Sequence, residues 1–414
     1  MFSVAIEKKK PMKIAYVALD VAPQLFRGSS THTMEIAKNL VNLGNEVHVI
    51  CRRLSNTEIK IAKIGNLFIH RHYRGIIFPI KPRSDFEEIM TEKTVQKQSV
   101  FRSTLIKLYM LYLKYVFPLY FAIIIAKIVK KHKIDVILER GSSLGAGAIA
   151  SVFSSRAMVS EIIGTNFKEI SLKIARKIIA YSYDILPKQY IGKTELVTAA
   201  ANIEMFTPEI DGTRIRRKYG LENYSIVGYA GCFAEWHGVL DLVKASKKVI
   251  SKTDQVRFLM IGPNSSVRVL PMVRRMNLEN YFIFTDLVPY NEVPSYLSVC
   301  DILAAPYNPS AYVETRKFGF FYSPIKLFEY MACGRPIVTS SCGSIPTIIR
   351  DKTTGCLFEP GNIEELANAI LFLLKNRKLS EKIGNNARKE VETKYTWKGV
   401  TKKIEQILRS ALII

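Results

Sequence analysis

Residues 323–340 read SPIKLFEYMACGRPIVTS. The Ser323-Pro324 pair opens a helix at the end of a strand, because proline is preorganised for the first helical position and has no N–H to lose. The free backbone N–H groups of the first turn then point into a crevice, an arrangement suited to a pyrophosphate. Lys326 adds a cation there. Glu329 lies three residues further on the same helix face, placed to accept hydrogen bonds from sugar hydroxyls beside the phosphates. The plainer alternative is an ordinary capped helix carrying a surface Lys/Glu pair.

Working outward, the pattern alternates strand and helix. Upstream come a strand at 225–231 (SIVGYAG), a helix at 238–250, a strand at 256–262 (VRFLMIG), a helix near 267–276 and strands at 281–285 (YFIFT) and 302–307 (ILAAPY). An earlier series has a strand at 13–19 (KIAYVAL), a loop through Gly28, a helix at 34–43 and a strand at 46–51 (EVHVIC). It continues with a strand at 135–138 (DVIL), a helix at 145–153 and a strand at 158–162. Such alternation specifies parallel sheets covered by helices, so the fold class is α/β with two Rossmann-like doubly wound domains. The punctuation FTPEIDG at 206–212 sets the expected division: residues 1–205, residues 206–395, and a C-terminal helix within 396–414.

The chain has 414 residues, 48% hydrophobic and 23% charged, a globular composition that excludes a disordered tail or a disulfide knot. Its charge is unusual: 60 Lys and Arg against 36 Asp and Glu, a net +24. Residues 1–200 hold 31 basic against 15 acidic side chains, and residues 51–150 alone hold 18 against 7, so the excess predicts a local basic surface. Nucleic acid, anionic lipid and phosphorylated substrates are the candidate partners; no nucleic-acid recognition motif accompanies the charge. The cysteines Cys51, Cys232, Cys300, Cys333, Cys342 and Cys356 show no C-x-x-C pairing, which suits buried reduced thiols. Residues 1–10 lack the apolar core of a signal peptide and read as an extension or a misassigned start, giving a cytoplasmic expectation. Residues 118–130 read as a helix packed on the sheet. For 101–115, where Arg102, Lys107 and Lys114 punctuate an apolar face, a core helix and an interfacial membrane helix are equal readings.

The run at 323–336 resembles the family 4 glycosyltransferases in their S-P-x-K-x-x-E-Y-M-A-x-G-x-P variant. These are retaining enzymes of the GT-B fold, with two Rossmann-like domains facing each other across a cleft, that use nucleotide-sugar donors. Similar stretches cover nearly the whole chain, including 301–306, 343–350, 355–362 and 388–397, and the resemblance implies a last helix at 398–410 that packs back on the first domain. Glu329 matches the second glutamate of the family's E-x7-E pair, and Phe321 stands at the first. In the loop 231–238 (GCFAEWHG), Cys232 and His237 stand where relatives carry an arginine and a lysine that grip the pyrophosphate. A protonated histidine there donates from both nitrogens.

On the first-domain side, Gly28 matches the second glycine of the family's glycine-rich loop, with Arg27 at the first and His32 at its following histidine. Glu139-Arg140-Gly141 is similar to a Y-E-R variant near the reaction centre. Arg140, at a strand's C-terminal end, is placed for an acceptor phosphate or for an ion pair with Glu161. TAAANIEMF at 198–206 retains only Asn202 and Phe206 of the family's P-N-G-V-D-x-x-x-F.

The resemblance thus implies transfer of a hexose-type sugar from a nucleotide-sugar donor to a lipid-linked or polysaccharide acceptor, with retention and without metal or cofactor. Lys326, His237 and Arg140 are the expected catalytic residues. Gly28, Gly231, His237, Ser323, Pro324, Ile325, Lys326 and Glu329 would bind donor; His32, Arg140 and Glu161 lie on the acceptor side. Arg102, Lys107 and Lys114 would contact an anionic membrane, for a peripheral protein on its inner face. The rivals are a non-catalytic GT-B glycan-binding or partner subunit, and a sugar epimerase.

Overall fold

The computed structural model describes residues 10–23, 28–54, 58–73, 111, 115–263 and 265–413. Readings that fall on residues 1–9 and on Arg27, Arg102, Lys107 and Lys114 lie outside these. The described chain forms two compact units. One holds the residues up to Ala180 with Pro187–Glu195 and the chain from Thr401; the other holds Tyr181–Leu186 and Leu196–Val400. The FTPEIDG punctuation therefore lies inside the second unit. There Asp211 accepts a hydrogen bond from the backbone N–H of Thr213 at 2.9 Å, and the segment introduces the helix Thr213–Tyr219 rather than a domain linker.

In the first unit β1 (Lys13–Ala18) is an apolar run buried on both faces, as the central strand of a helix-covered parallel sheet must be. The other strands are β2 (Glu46–Arg53), β3 (Ile61–Ile64), β4 (Leu67–Tyr73), β5 (Val136–Arg140), β6 (Ala157–Ile162), β7 (Lys177–Ala180) and β8 (Thr194–Leu196). They lie in the order β3-β4-β2-β1-β5-β6-β7-β8. From β4 to β7 the pairs are parallel, and β3 is an antiparallel hairpin arm on β4. The helix Gly28–Asn42 follows β1, starting six residues before the apolar spacing that signalled it. The helix Phe117–His132 buries Phe117, Phe121, Ala122, Ile125 and Val129.

The second unit contains β9 (Ser225–Ala230), β10 (Val256–Ile261), β11 (Phe282–Phe284), β12 (Ile302–Ala305), β13 (Ile337–Ser340) and β14 (Cys356–Phe358). They form an all-parallel sheet in the order β11-β10-β9-β12-β13-β14. This is the doubly wound 3-2-1-4-5-6 order, which reverses direction between β9 and β12; the first sheet reverses likewise between β1 and β5. Beyond the strands' carboxyl ends at such a reversal, neighbouring loops part and leave a crevice. Arg388 fastens the second unit, its guanidinium donating to the carbonyls of Phe206 and Ala332, both at 2.7 Å.

The final helix, Trp397–Ile413, is longer than the stretch 398–410, and from Thr401 it is part of the first unit. Within that unit Asn45 donates to Glu405 Oε1 at 3.1 Å, Arg409 donates to the carbonyl of Lys10 at 2.9 Å, and Arg176 donates to that of Ala411 at 2.9 Å. Leu408 is fully buried, whereas Ile413 is 87% exposed. Leu408→Ala should destabilise the first unit by about 2–5 kcal/mol in denaturant unfolding, while Ile413→Ala should leave it within about 0.5 kcal/mol.

Candidate functional site

In the second unit the helix Ile325–Ala332 begins behind Pro324, and no side chain caps it. The Ser323 hydroxyl instead accepts the N–H of Ala199 at 2.8 Å. The amides of Ile325 and Lys326 precede the first helical hydrogen bond, from Leu327 N to the Pro324 carbonyl. Lys326 is half-buried. Its ammonium lies 4.2 Å from the centroid of the Tyr229 ring and donates to the Tyr229 hydroxyl at 2.9 Å. Burial lowers its pKa to about 8, against the opposing pull of Cys232 and Glu329.

The ammonium reaches that place because Gly231 follows β9. Gly231 has φ +134°, and a Cβ there would stand 2.7 Å from Lys326 Nζ. Tyr229 donates its own proton to the Cys232 carbonyl at 2.6 Å. Burial holds its pKa far above the ordinary range, so the phenol stays protonated. His237 Nδ1 lies 2.6 Å from the same carbonyl, a contact that requires an N–H.

His237 is itself buried in this loop. Burial, followed by the charge of Lys326, pushes its pKa well below the usual value, leaving a neutral imidazole that donates from Nδ1 alone. The loop holding it is fixed by Gly238, with φ +65°, where a Cβ would overlap the Pro306 carbonyl, and by Trp236 stacked on Tyr322 at 4.5 Å.

Glu329 shares the helix with Lys326 and favours its charge, and the Tyr290 hydroxyl donates to Glu329 Oε1 at 2.7 Å. Phe321 is buried against Tyr322 and offers no carboxylate in its place. Asn202 closes an Asx turn on the amides of Glu204 and Met205.

In the first unit Gly28 is the exposed first residue of its helix. His32 and Glu161 come together, as His32 Nε2 lies 2.8 Å from Glu161 Oε1 and the Tyr16 hydroxyl donates to Oε2 at 2.6 Å. Burial works to raise the pKa of Glu161, but His32 and Arg140 outweigh it and hold the carboxyl below its usual range. Arg140, whose charge acts on Glu161, pairs with Asp20, its Nε lying 3.2 Å from Oδ2. The reason is topological: Asp20 follows β1 and Arg140 ends β5, the two strands flanking the reversal of the sheet. Beside it Glu139 is buried and accepts the Gly147 N–H at 2.8 Å, with its pKa raised by burial to about 7.

Residues 224–376, most of the second unit, match the family described as Glycosyl transferases group 1. The matched region is therefore of the glycosyl transferases group 1 type, in a chain of the GT-B fold. Among curated relatives, N-acetyl-alpha-D-glucosaminyl L-malate synthase of Bacillus anthracis is 26% identical over 204 residues, 49% of this chain and 50% of that protein. The chain spans about half the length of the first curated relatives it matches. Sucrose-phosphate synthase of Thermosynechococcus elongatus superposes with a TM-score of 0.70 at 17% identity, over 96% of this chain and 98% of that one. Anabaena HepE, solved in complex with UDP and glucose, does so with a TM-score of 0.68 at 20% identity, over 96% and 100%. These two likenesses are of fold.

In this region the sequence motifs named Lys326, Gly231 and His237 but missed what joins them, the hydroxyl of Tyr229. A buried tyrosine in an apolar strand must find a hydrogen-bond partner, so SIVGYAG carried that signal. Tyr290 and Asp20 had no comparable local mark. Because Lys326 titrates near 8 in the free protein, any anion it holds should bind evenly below about pH 7 and lose up to about tenfold per pH unit above 8, until the pKa of the complex is passed. Calorimetric titration with a nucleoside diphosphate across pH 6–10 measures this, and Gly231→Ala, which displaces the ammonium, should flatten the profile.

Proposed function

We propose that the chain transfers a hexose-type sugar from a nucleotide-sugar donor to a lipid-linked or polysaccharide acceptor, with retention at the anomeric carbon. The observation carrying this reading is the Lys326 ammonium, held over Gly231 beside a helix start that no side chain caps. Charge develops on the leaving diphosphate as the glycosidic bond breaks, and preorganised donors there act without reorganising. Lys326 and the amides of Ile325 and Lys326 would supply that stabilisation with no metal ion, while Tyr229 and neutral His237 keep the ammonium placed. Glu329, oriented by Tyr290, would accept the ribose hydroxyls. The UDP and glucose bound in the HepE complex support a uridine nucleotide as the first donor to test.

On the acceptor side, Arg140 beside Asp20 would orient a phosphate, and the His32–Glu161 pair would support the loop around Gly28. A lipid-linked acceptor is favoured by the helix Phe117–His132. Its outer face exposes Leu119, Tyr120 and Ile123, followed on the same stripe by Lys127, Lys130 and Lys131. Apolar residues beside lysines suit an interfacial helix on anionic lipid. Among the described residues no helix is long and apolar enough to cross a membrane. The matching location is peripheral, on the cytoplasmic face.

Lys326→Ala should weaken nucleotide-sugar binding by about 1.5–3 kcal/mol, the range for a charge-assisted hydrogen bond, and Glu329→Gln should lower both ribose discrimination and turnover. Unchanged affinity and rate in both variants would reject the site; binding without transfer to any acceptor would favour the non-catalytic subunit. In flotation assays the protein should bind anionic vesicles, weakening with salt and with charge reversal at Arg102, Lys107 and Lys114 or at Lys127, Lys130 and Lys131, while neutral vesicles bind poorly. Indifference to anionic vesicles at low salt would point to a soluble glycan acceptor.

A further inference from the structure

Three of the chain's six histidines converge at one place in the first unit, away from the strand reversal where Arg140 lies. His48 is on β2, His70 on β4, and His132 in the last turn of the helix Phe117–His132. The parallel register pairs His48 with Phe68 and Ile50 with His70, so the two histidines lie diagonally on one face of the sheet, where residues two apart share a side. The helix covers that face and delivers His132, whose ring centroid is 4.4 Å from that of His48.

One ring nitrogen from each of the three lies within 4.8 Å of the others, and His48 Nδ1 is 3.0 Å from His70 Nε2. Two nitrogens bound tetrahedrally to one zinc ion lie about 3.4 Å apart, given zinc–nitrogen distances of about 2.0–2.1 Å. His48 and His70 already stand close to that spacing. His132, half-buried at a helix end, closes the remainder by turning its ring.

A second observation points the same way. On its far side, His48 Nε2 lies 3.1 Å from Glu46 Oε1, and that oxygen is held in turn by Lys13 Nζ at 3.1 Å. A carboxylate behind an imidazole fixes the proton on the outer nitrogen and turns the lone pair of the inner one inward, which is how metal-binding histidines are oriented. The carboxylate and the carbonyl end of the helix favour a cation; Lys13 and Lys131 oppose it. We propose that His48, His70 and His132 bind a zinc-class divalent ion, oriented by Glu46, which fastens β2 and β4 to the covering helix.

The test uses the full, untagged chain, stripped with a chelator and titrated with zinc(II) against a chromophoric competitor, and with cobalt(II) followed by its visible absorption. One equivalent of zinc should bind with a submicromolar dissociation constant, cobalt should give the intense visible bands of a four-coordinate site, and zinc should raise the midpoint of thermal unfolding. His132→Ala, which removes a half-buried side chain, and His70→Gln should each weaken zinc by at least about 100-fold, and Glu46→Gln by about 10-fold. Circular dichroism without metal checks that His132→Ala is folded. Absence of a saturable equivalent, or wild-type affinity in folded His132→Ala, overturns the proposal.

Discussion

The second unit is organised around keeping one ammonium group charged while it is largely withdrawn from water. Lys326 sits against the Tyr229 ring, and its pKa falls to about 8 because burial disfavours its charged form. Its position needs a residue without a Cβ at 231, and its charge helps to keep His237 neutral. The Cys232 carbonyl then accepts from both Tyr229 and His237, so the loop after β9 is held through one oxygen. A helix start left uncapped beside it concentrates unsatisfied donors where an anion would reside.

The first unit solves a related problem with the opposite sign. Glu161 is fully buried, and a carboxylate in that position is costly unless paired and hydrogen-bonded. His32 and Tyr16 each take one of its oxygens, drawing the end of β6 and the helix Gly28–Asn42 toward β1. Arg140, whose charge also favours the ionised Glu161, meets Asp20 across the reversal of the sheet. Both sheets thus place their charged residues at the same topological point, since neighbouring connections diverge there and polar groups can be reached.

The final helix shows how a chain segment can serve a unit distant in sequence. Its buried residues Ile404, Leu408 and Ala411 belong to the unit built mainly from the first half of the chain, and Glu405 answers the amide of Asn45. Five of the six cysteines are buried and Cys232 is exposed, in keeping with reduced thiols that pack as small apolar groups, apart from the one in the loop after β9.

Much of this was legible in the amino-acid sequence by itself. Apolar runs such as KIAYVA and VRFLMI can only be strands buried on both faces, and their alternation with helical spacing specified two doubly wound sheets. Ser323-Pro324 marked the helix that carries Lys326 and Glu329, because proline fixes a local backbone preference. The sequence could not decide partners chosen across strands. That Lys326 rests on Tyr229, that Arg140 pairs with Asp20, that His237 is neutral, and that His48, His70 and His132 meet all depend on strand order and register. The first two of these contacts join residues 97 and 120 positions apart, and the desolvation that sets protonation exists only once the chain has closed around them.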